Sequence, residues 1–129
     1  MAAMQAVASS EIEASGEAIL ACAPAKAFEP RCSAALLAAG ADFGITYNEK
    51  NGKISAVKNR SPVLRNLNVG KVIGSAAKGC GGSGGGHEMV GGATVPAGIV
   101  KRAVGIIMEI ARNEAGKAAA IASKRVGTT

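Results

Sequence analysis

The sequence predicts an α/β fold: a mixed β-sheet with helices packed on its faces, in a single domain. Three observations carry this. Short alternating or wholly apolar runs suited to strands (Ala18–Cys22, Phe43–Tyr47, Lys53–Asn59) are interleaved with segments of helical period (Val69–Ala77, Ile99–Ile110). An Asn51-Gly52 turn joins two of the strand-like runs, the strongest local hairpin signal. Finally, 129 residues that are 48% hydrophobic but only 2% aromatic fit one domain with a core of Ala, Val, Ile and Leu.

The elements follow in order. Residues 1–16 read as a lead-in, either helical or disordered: Met4, Val7 and Ile12 fall at i, i+3 and i+8, and Ser15-Gly16 breaks the pattern. Glu17–Ala23 contains the apolar run of a buried strand, and Pro24 ends it. Pro30 suits an early helical position, Arg31–Ala39 reads as helix, and Gly40 stops it. Ala41–Tyr47 and Lys53–Asn59 alternate and form an antiparallel pair around the Asn-Gly turn. Asn68 is a good N-cap for a helix whose Val69, Val72, Ile73, Ala76 and Ala77 share one face. Gly79 stops that helix and opens a glycine-rich loop. Met89–Val95 is a short strand closed by Pro96. An amphipathic helix then runs from Ala97 to Asn113, and residues 114–129 extend it or fray.

Charge is uneven. The chain carries +6 overall. Residues 1–29 hold Glu11, Glu13, Glu17 and Glu29 against Lys26, whereas residues 50–87 hold Lys50, Lys53, Lys58, Arg60, Arg65, Lys71 and Lys78 with no acid. A basic run of this kind suits a polyanion, most simply nucleic acid or a nucleotide phosphate. Cys22, Cys32 and Cys80 make no Cys-x-x-Cys pair, which fits a reduced, intracellular protein; the expected location is the cytoplasm. No basic stretch precedes Ile19-Leu20-Ala21-Cys22, so a secretion signal is not expected there. No apolar run approaches the ~18 residues of a membrane span, so no membrane partner is expected.

The basic run ends in the stretch Gly79–Gly92, where eight of fourteen residues are glycine and where the single histidine, His87, stands. A backbone bare of side chains exposes N–H donors and admits a close approach. An imidazole at its end adds a further donor or, near neutral pH, a cation. That is the chemistry of a phosphate cradle. The same composition also makes flexible linkers, but well-patterned elements flank this stretch and His-Glu-Met-Val interrupts it. Gly79-x-Gly81-x-x-Gly84 matches a dinucleotide-binding pattern by letter but follows a helix rather than a strand, and no acid lies about twenty residues on. No Lys-Ser or Lys-Thr follows to make a P-loop. With one aspartate (Asp42) and one histidine, the chain has no two-metal hydrolytic set of its own. Ser83 near His87 is read as a residue of the glycine run, not a nucleophile.

Gly84-Gly85-Gly86-His87-Glu88-Met89-Val90-Gly91-Gly92-Ala93 resembles the G-G-G-H-x-x-A-x-G-x signature of the DHH-associated domain. This is the C-terminal domain of the DHH phosphoesterases, which include RecJ-like single-strand exonucleases and oligoribonucleases. Lys58-Asn59-Arg60-Ser61 is similar to the family's Ser-x-Arg-Ser sequence after the hairpin, and the similarity spans roughly residues 17–113. Lys58 stands in place of the usual serine and Val90 in place of the usual small alanine. The resemblance implies a substrate-binding role for Gly84, Gly85 and Gly86 through backbone N–H groups, for His87 at the phosphate and for Arg60 as a guanidinium fork, with Lys58, Ser61 and Ser83 as further phosphate contacts. It implies no catalytic residue and no cofactor in this chain. Manganese or magnesium belongs to the DHH catalytic domain, the expected partner, whose Asp-His-His motif has no counterpart here. The chain thus resembles a detached or stand-alone C-terminal domain that binds single-stranded nucleic acid or a nucleotide phosphate and is no enzyme by itself, but part of a metal-dependent phosphodiesterase or exonuclease. Two alternatives stand beside this: a tRNA-contacting accessory domain like that of alanyl-tRNA synthetase, which usually lacks this histidine, and a protein-interaction module using the Ile-rich last helix.

Overall fold

The computed structural model describes residues 11–15, 17–24 and 29–127. Their order is β1 (Glu11–Ser15), β2 (Ala18–Pro24), α1 (Glu29–Ala38), β3 (Phe43–Tyr47), β4 (Lys53–Lys58), α2 (Val69–Gly79), β5 (Ser83–Gly86), β6 (Val90–Thr94) and α3 (Val100–Gly127). Short 3-10 turns at Pro62–Leu64 and Ala97–Ile99 lead into α2 and α3. The strands form one mixed sheet in the order β1-β2-β3-β4-β6-β5; β2 and β3 are parallel and every other pair is antiparallel. This is the predicted α/β architecture.

Helices cover both faces. Strand alternation sends Leu20, Phe43, Ile45, Ile54, Ala56 and Ala93 to one face, where they meet Val69, Ile73 and Ala77 of α2 and Val100, Ala103, Ile107 and Ala111 of α3. The other face is covered only in part. There α1 rests on β3 and β4, with Leu36 against Ala21 and Ala23. The Ser33 hydroxyl pairs with that of Thr46 at 2.9 Å and donates to the Ser55 carbonyl at 3.0 Å. These bonds satisfy buried hydroxyls and fix how far α1 reaches along the sheet. It stops short of β6 and β5, where Val90, Gly92 and Thr94 are exposed.

Two expectations are corrected. Residues 11–15, expected in a helical or disordered lead-in, form edge strand β1, paired with β2 from Glu11↔Cys22 to Ser15↔Ala18; Met4 and Val7 lie outside the described residues. The glycine-rich loop is likewise a strand over Ser83–Gly86, paired with β6 from Ser83↔Thr94 to Gly86↔Gly91. Beyond residue 113 the chain continues as helix to Gly127.

A bidentate pair ties β1 to α3: Arg112 Nε and Nη2 donate to the two Glu13 carboxylate oxygens, both at 2.8 Å. The guanidinium holds the Glu13 carboxyl below its usual range, chiefly through these bonds. Because the folded pKa is lowered, the pair's contribution is complete above the unfolded value near 4.3 and is lost as pH falls through the folded one. Both side chains are part exposed, so the effect is small. Arg112→Ala is expected to lower Tm slightly at neutral pH. Thermal melts of variant and wild type should converge in acid; a gap that is constant with pH counts against the pair.

Candidate phosphate-binding surface

Lys58 N donates to Met89 O at 2.9 Å and continues the β4–β6 ladder into the turn His87–Met89. That turn is closed by His87 N donating to Val90 O at 2.7 Å. Alternation along the ladder then makes Gly85 the hydrogen-bonded partner of Gly92 and directs the N–H groups of Gly84 and Gly86 off the open edge. The sequence-predicted glycines are therefore an exposed edge strand, and two of the three present outward donors.

Glycine is needed here for packing as much as for exposure. A Cβ on Gly74 would sit 2.9 Å from Gly84 O, and one on Gly70 would sit 2.6 Å from Gly86 O and 2.8 Å from His87 N. With both Cβ atoms missing, α2 lies directly on β5. Its first two donors are spent on the turn after β5, Val69 N donating to Glu88 O at 2.9 Å and Gly70 N to His87 O at 2.8 Å, and Lys71 N donates to the N-cap Asn68 Oδ1 at 3.0 Å. The N-terminus of α2 is thereby capped by protein groups and is not itself an anion site.

On the face that α1 leaves bare, β4, β6 and β5 form an open trough of about 550 Å³. Its floor follows the register in three rows. Lys53, Thr94 and Ser83 form one; Ser55, Gly92 and Gly85 the next; Val90 and His87 the last. The centre is bare backbone and the ends carry a lysine and the histidine. No acidic side chain lines it.

The remaining predicted residues are placed as follows. Arg60 is exposed, two residues beyond β4 at the His87 end of the trough. Asn59 pins its segment: Asn59 Nδ2 donates to Asp42 Oδ1 and Asn59 Oδ1 accepts from Ser61 N, both at 2.8 Å. Ser61 is half-buried beside Arg60, and Ser83 lies on the trough floor. Lys58 is buried, with Nζ donating to Leu64 O at 2.8 Å and 3.8 Å from Glu88 Oε1. Its amine is directed inward and bridges the Pro62–Leu64 turn to the β5–β6 turn.

Lys53 and Thr94 line the trough but were not among the predicted site residues. Assigning the sides of β4 and β6 by alternation, once the β4–β6 pairing is known, would have placed them. A second cleft of about 310 Å³, between α3 and β1–β3, is lined by Cys22, Tyr47, Glu11 and Glu13. Burial, with help from Glu11 and Glu13, pushes the Cys22 thiol up, and burial also raises Tyr47. Neither is an activated nucleophile. Among the described residues no group of three or more His, Cys, Asp or Glu side chains is placed to hold a metal ion. No helix among them is long and apolar enough to cross a membrane.

Residues 40–113 match the DHHA1 domain, and the chain belongs to that family. No curated protein matches it in sequence. Among solved structures it is similar to a DHH-domain protein described as a member of a family of ribosomal proteins, with a TM-score of 0.66 and 14% identity over 83% of this chain. The chain spans 29% of that protein's length. It is also similar to the C-Ala domain of alanyl-tRNA synthetase from Aquifex aeolicus, with a TM-score of 0.56 and 20% identity, over 82% of this chain and 98% of that domain. At these identities the two matches establish a shared fold.

Proposed function

We propose that this chain binds the phosphate backbone of single-stranded nucleic acid, or a nucleotide phosphate, in the cytoplasm, as the substrate-holding domain of a RecJ-like DHH phosphoesterase. The observation that carries this is the acid-free trough with a bare glycine floor, bounded by Lys53 and His87, with Arg60 exposed at one end. A phosphodiester could approach the backbone of β5 and β6 closely, take donors from Gly84 and Gly86 at the strand edge, and be gripped by Arg60 and His87. Aromatic side chains for stacking are scarce, so recognition rests on phosphate and not on base identity. The metal-dependent cleavage step belongs to a DHH catalytic domain that would close over this surface.

The test is binding of a labelled single-stranded oligonucleotide across a salt series. Affinity should fall with salt, and Arg60→Ala should weaken binding roughly 10-fold and reduce the log–log slope by about 0.7, the share of one phosphate on a single strand. His87→Ala should weaken it to a similar degree. Salt-independent or absent binding by a folded chain overturns the proposal. The fold shared with the C-Ala domain, over 98% of that domain's length, supports a second reading, a tRNA-contacting domain. His87 at the end of the glycine run argues for the phosphoesterase side. Competition separates them: a short single strand should displace tRNA if the first holds.

A further inference from the structure

We infer that the bound strand continues over the β5 edge onto α2, where Lys71, Ser75 and Lys78 form an outer phosphate track. This rests on the proposed nucleic-acid reading and extends it to a surface outside the trough. Gly70 faces Gly86 and His87 while Gly74 faces Gly84, so α2 lies antiparallel along β5. Lys71 and Lys78 are two helical turns apart and share one side of α2, about 10 Å apart along its axis, with Lys78 turned only about 40° from Gly74. Lys71, Ser75 and Lys78 are all exposed. The track therefore flanks the glycine strand on the side away from the trough.

Charge brackets that strand at both ends. Lys71 stands at its His87 end, Lys53 and Lys78 on the side of its Ser83 end, and Arg60 follows the end of β4, the strand whose Lys58 meets the His87–Met89 turn. Among the described residues none of these four cations makes an ion pair. Between them β5 contributes no side chain larger than serine, so nothing obstructs a strand crossing the edge. Lys71 gives an independent sign. It occupies the first turn of α2, which holds no acid, and a cation there opposes the helix dipole. A residue that breaks a local stability rule marks a place where something other than folding has set the choice.

The experiment compares oligonucleotides of about 4 and about 16 nucleotides, the range of single-strand site sizes, by fluorescence anisotropy. Lys71→Ala/Lys78→Ala should weaken the longer strand roughly 10-fold and reduce its salt slope by about 1.4, two phosphates' worth, while leaving the shorter one unchanged. Lys71→Glu should weaken the longer strand further without lowering Tm, since it places an acid where the dipole favours one. Arg60→Ala should weaken both lengths. If the lysine variants leave the longer strand unaffected, or weaken both lengths equally, the outer track is overturned while the trough reading stands. If wild type binds neither length, both are overturned.

Discussion

Gly70→Ala is expected to destabilise the fold by about 2–3 kcal/mol, the result of a small helix-propensity gain set against a larger steric loss. In an unobstructed helix the substitution would favour folding by about 1 kcal/mol. Here the new Cβ falls on the Gly86 carbonyl carbon and within 2.8 Å of His87 N, both backbone atoms that cannot rotate away. The N-terminus of α2 must therefore lift from β5. Lifting it lengthens the bonds from Val69 N to Glu88 O and Gly70 N to His87 O, each worth about 1 kcal/mol, beyond the 1–3 kcal/mol typical of overpacking. At ~4 °C per kcal/mol, Tm should fall by roughly 8–12 °C. Gly105→Ala in α3 is the control: nothing lies within 4 Å of its added Cβ, so the same change should raise Tm slightly. Equal effects at the two sites would show that α2 and β5 are not in glycine-mediated contact. Because His87 sits in the affected turn, Gly70→Ala should also weaken oligonucleotide binding under conditions where the variant remains folded.

What could be read from the residues divides by how local the determining interaction is. The β3–β4 hairpin was legible because its turn chemistry is self-contained. Asn48 Oδ1 accepts from Lys50 N and Asn51 N, and Gly52 takes φ +76° to close the turn. The start of α2 was legible for the same reason, since the Asn68 cap is satisfied three residues away by Lys71 N. Strand β5 was not, because strand signals are carried by alternating side chains and three of its four residues have none. What makes it a strand is pairing with β6 and close packing of α2, both contacts between distant parts of the chain. β1 was missed because its Glu-Ile-Glu-Ala-Ser alternation is short and leaves Ile12 68% exposed, so burial does not announce it. The trough was half legible. Gly84–His87 and Arg60 were named from motif and charge, whereas Lys53 and Thr94 required the β4–β6 register.

Lys58 is where sequence expectation and geometry lead to different experiments. A lysine in the basic run reads as a phosphate contact, yet its side chain is 2% exposed and its amine donates to Leu64 O. Lys58→Ala should cost about 2–4 kcal/mol, because it empties core volume and strands a buried carbonyl. Lys58→Met keeps most of the volume and removes a buried charge whose partner carboxylate, Glu88, is mostly exposed and 3.8 Å away. Methionine cannot donate to Leu64 O, so this variant still leaves that carbonyl unpaired and should cost about 1–3 kcal/mol, less than the alanine because the volume is kept. The pair of variants thus separates packing from charge by chemical denaturation. If Lys58→Met is as damaging as Lys58→Ala, the Leu64 and Glu88 interactions dominate and packing does not. Binding supplies the other axis. With the amine turned inward, Lys58→Met should leave the salt slope of oligonucleotide binding unchanged, whereas a slope reduced by about 0.7 would mean that the amine swings out to meet a phosphate. Lys58 N would keep its ladder bond to Met89 O in either variant. Any loss of affinity at constant slope would then report displacement of Arg60 and His87, the two groups whose segments the Lys58 side chain holds together.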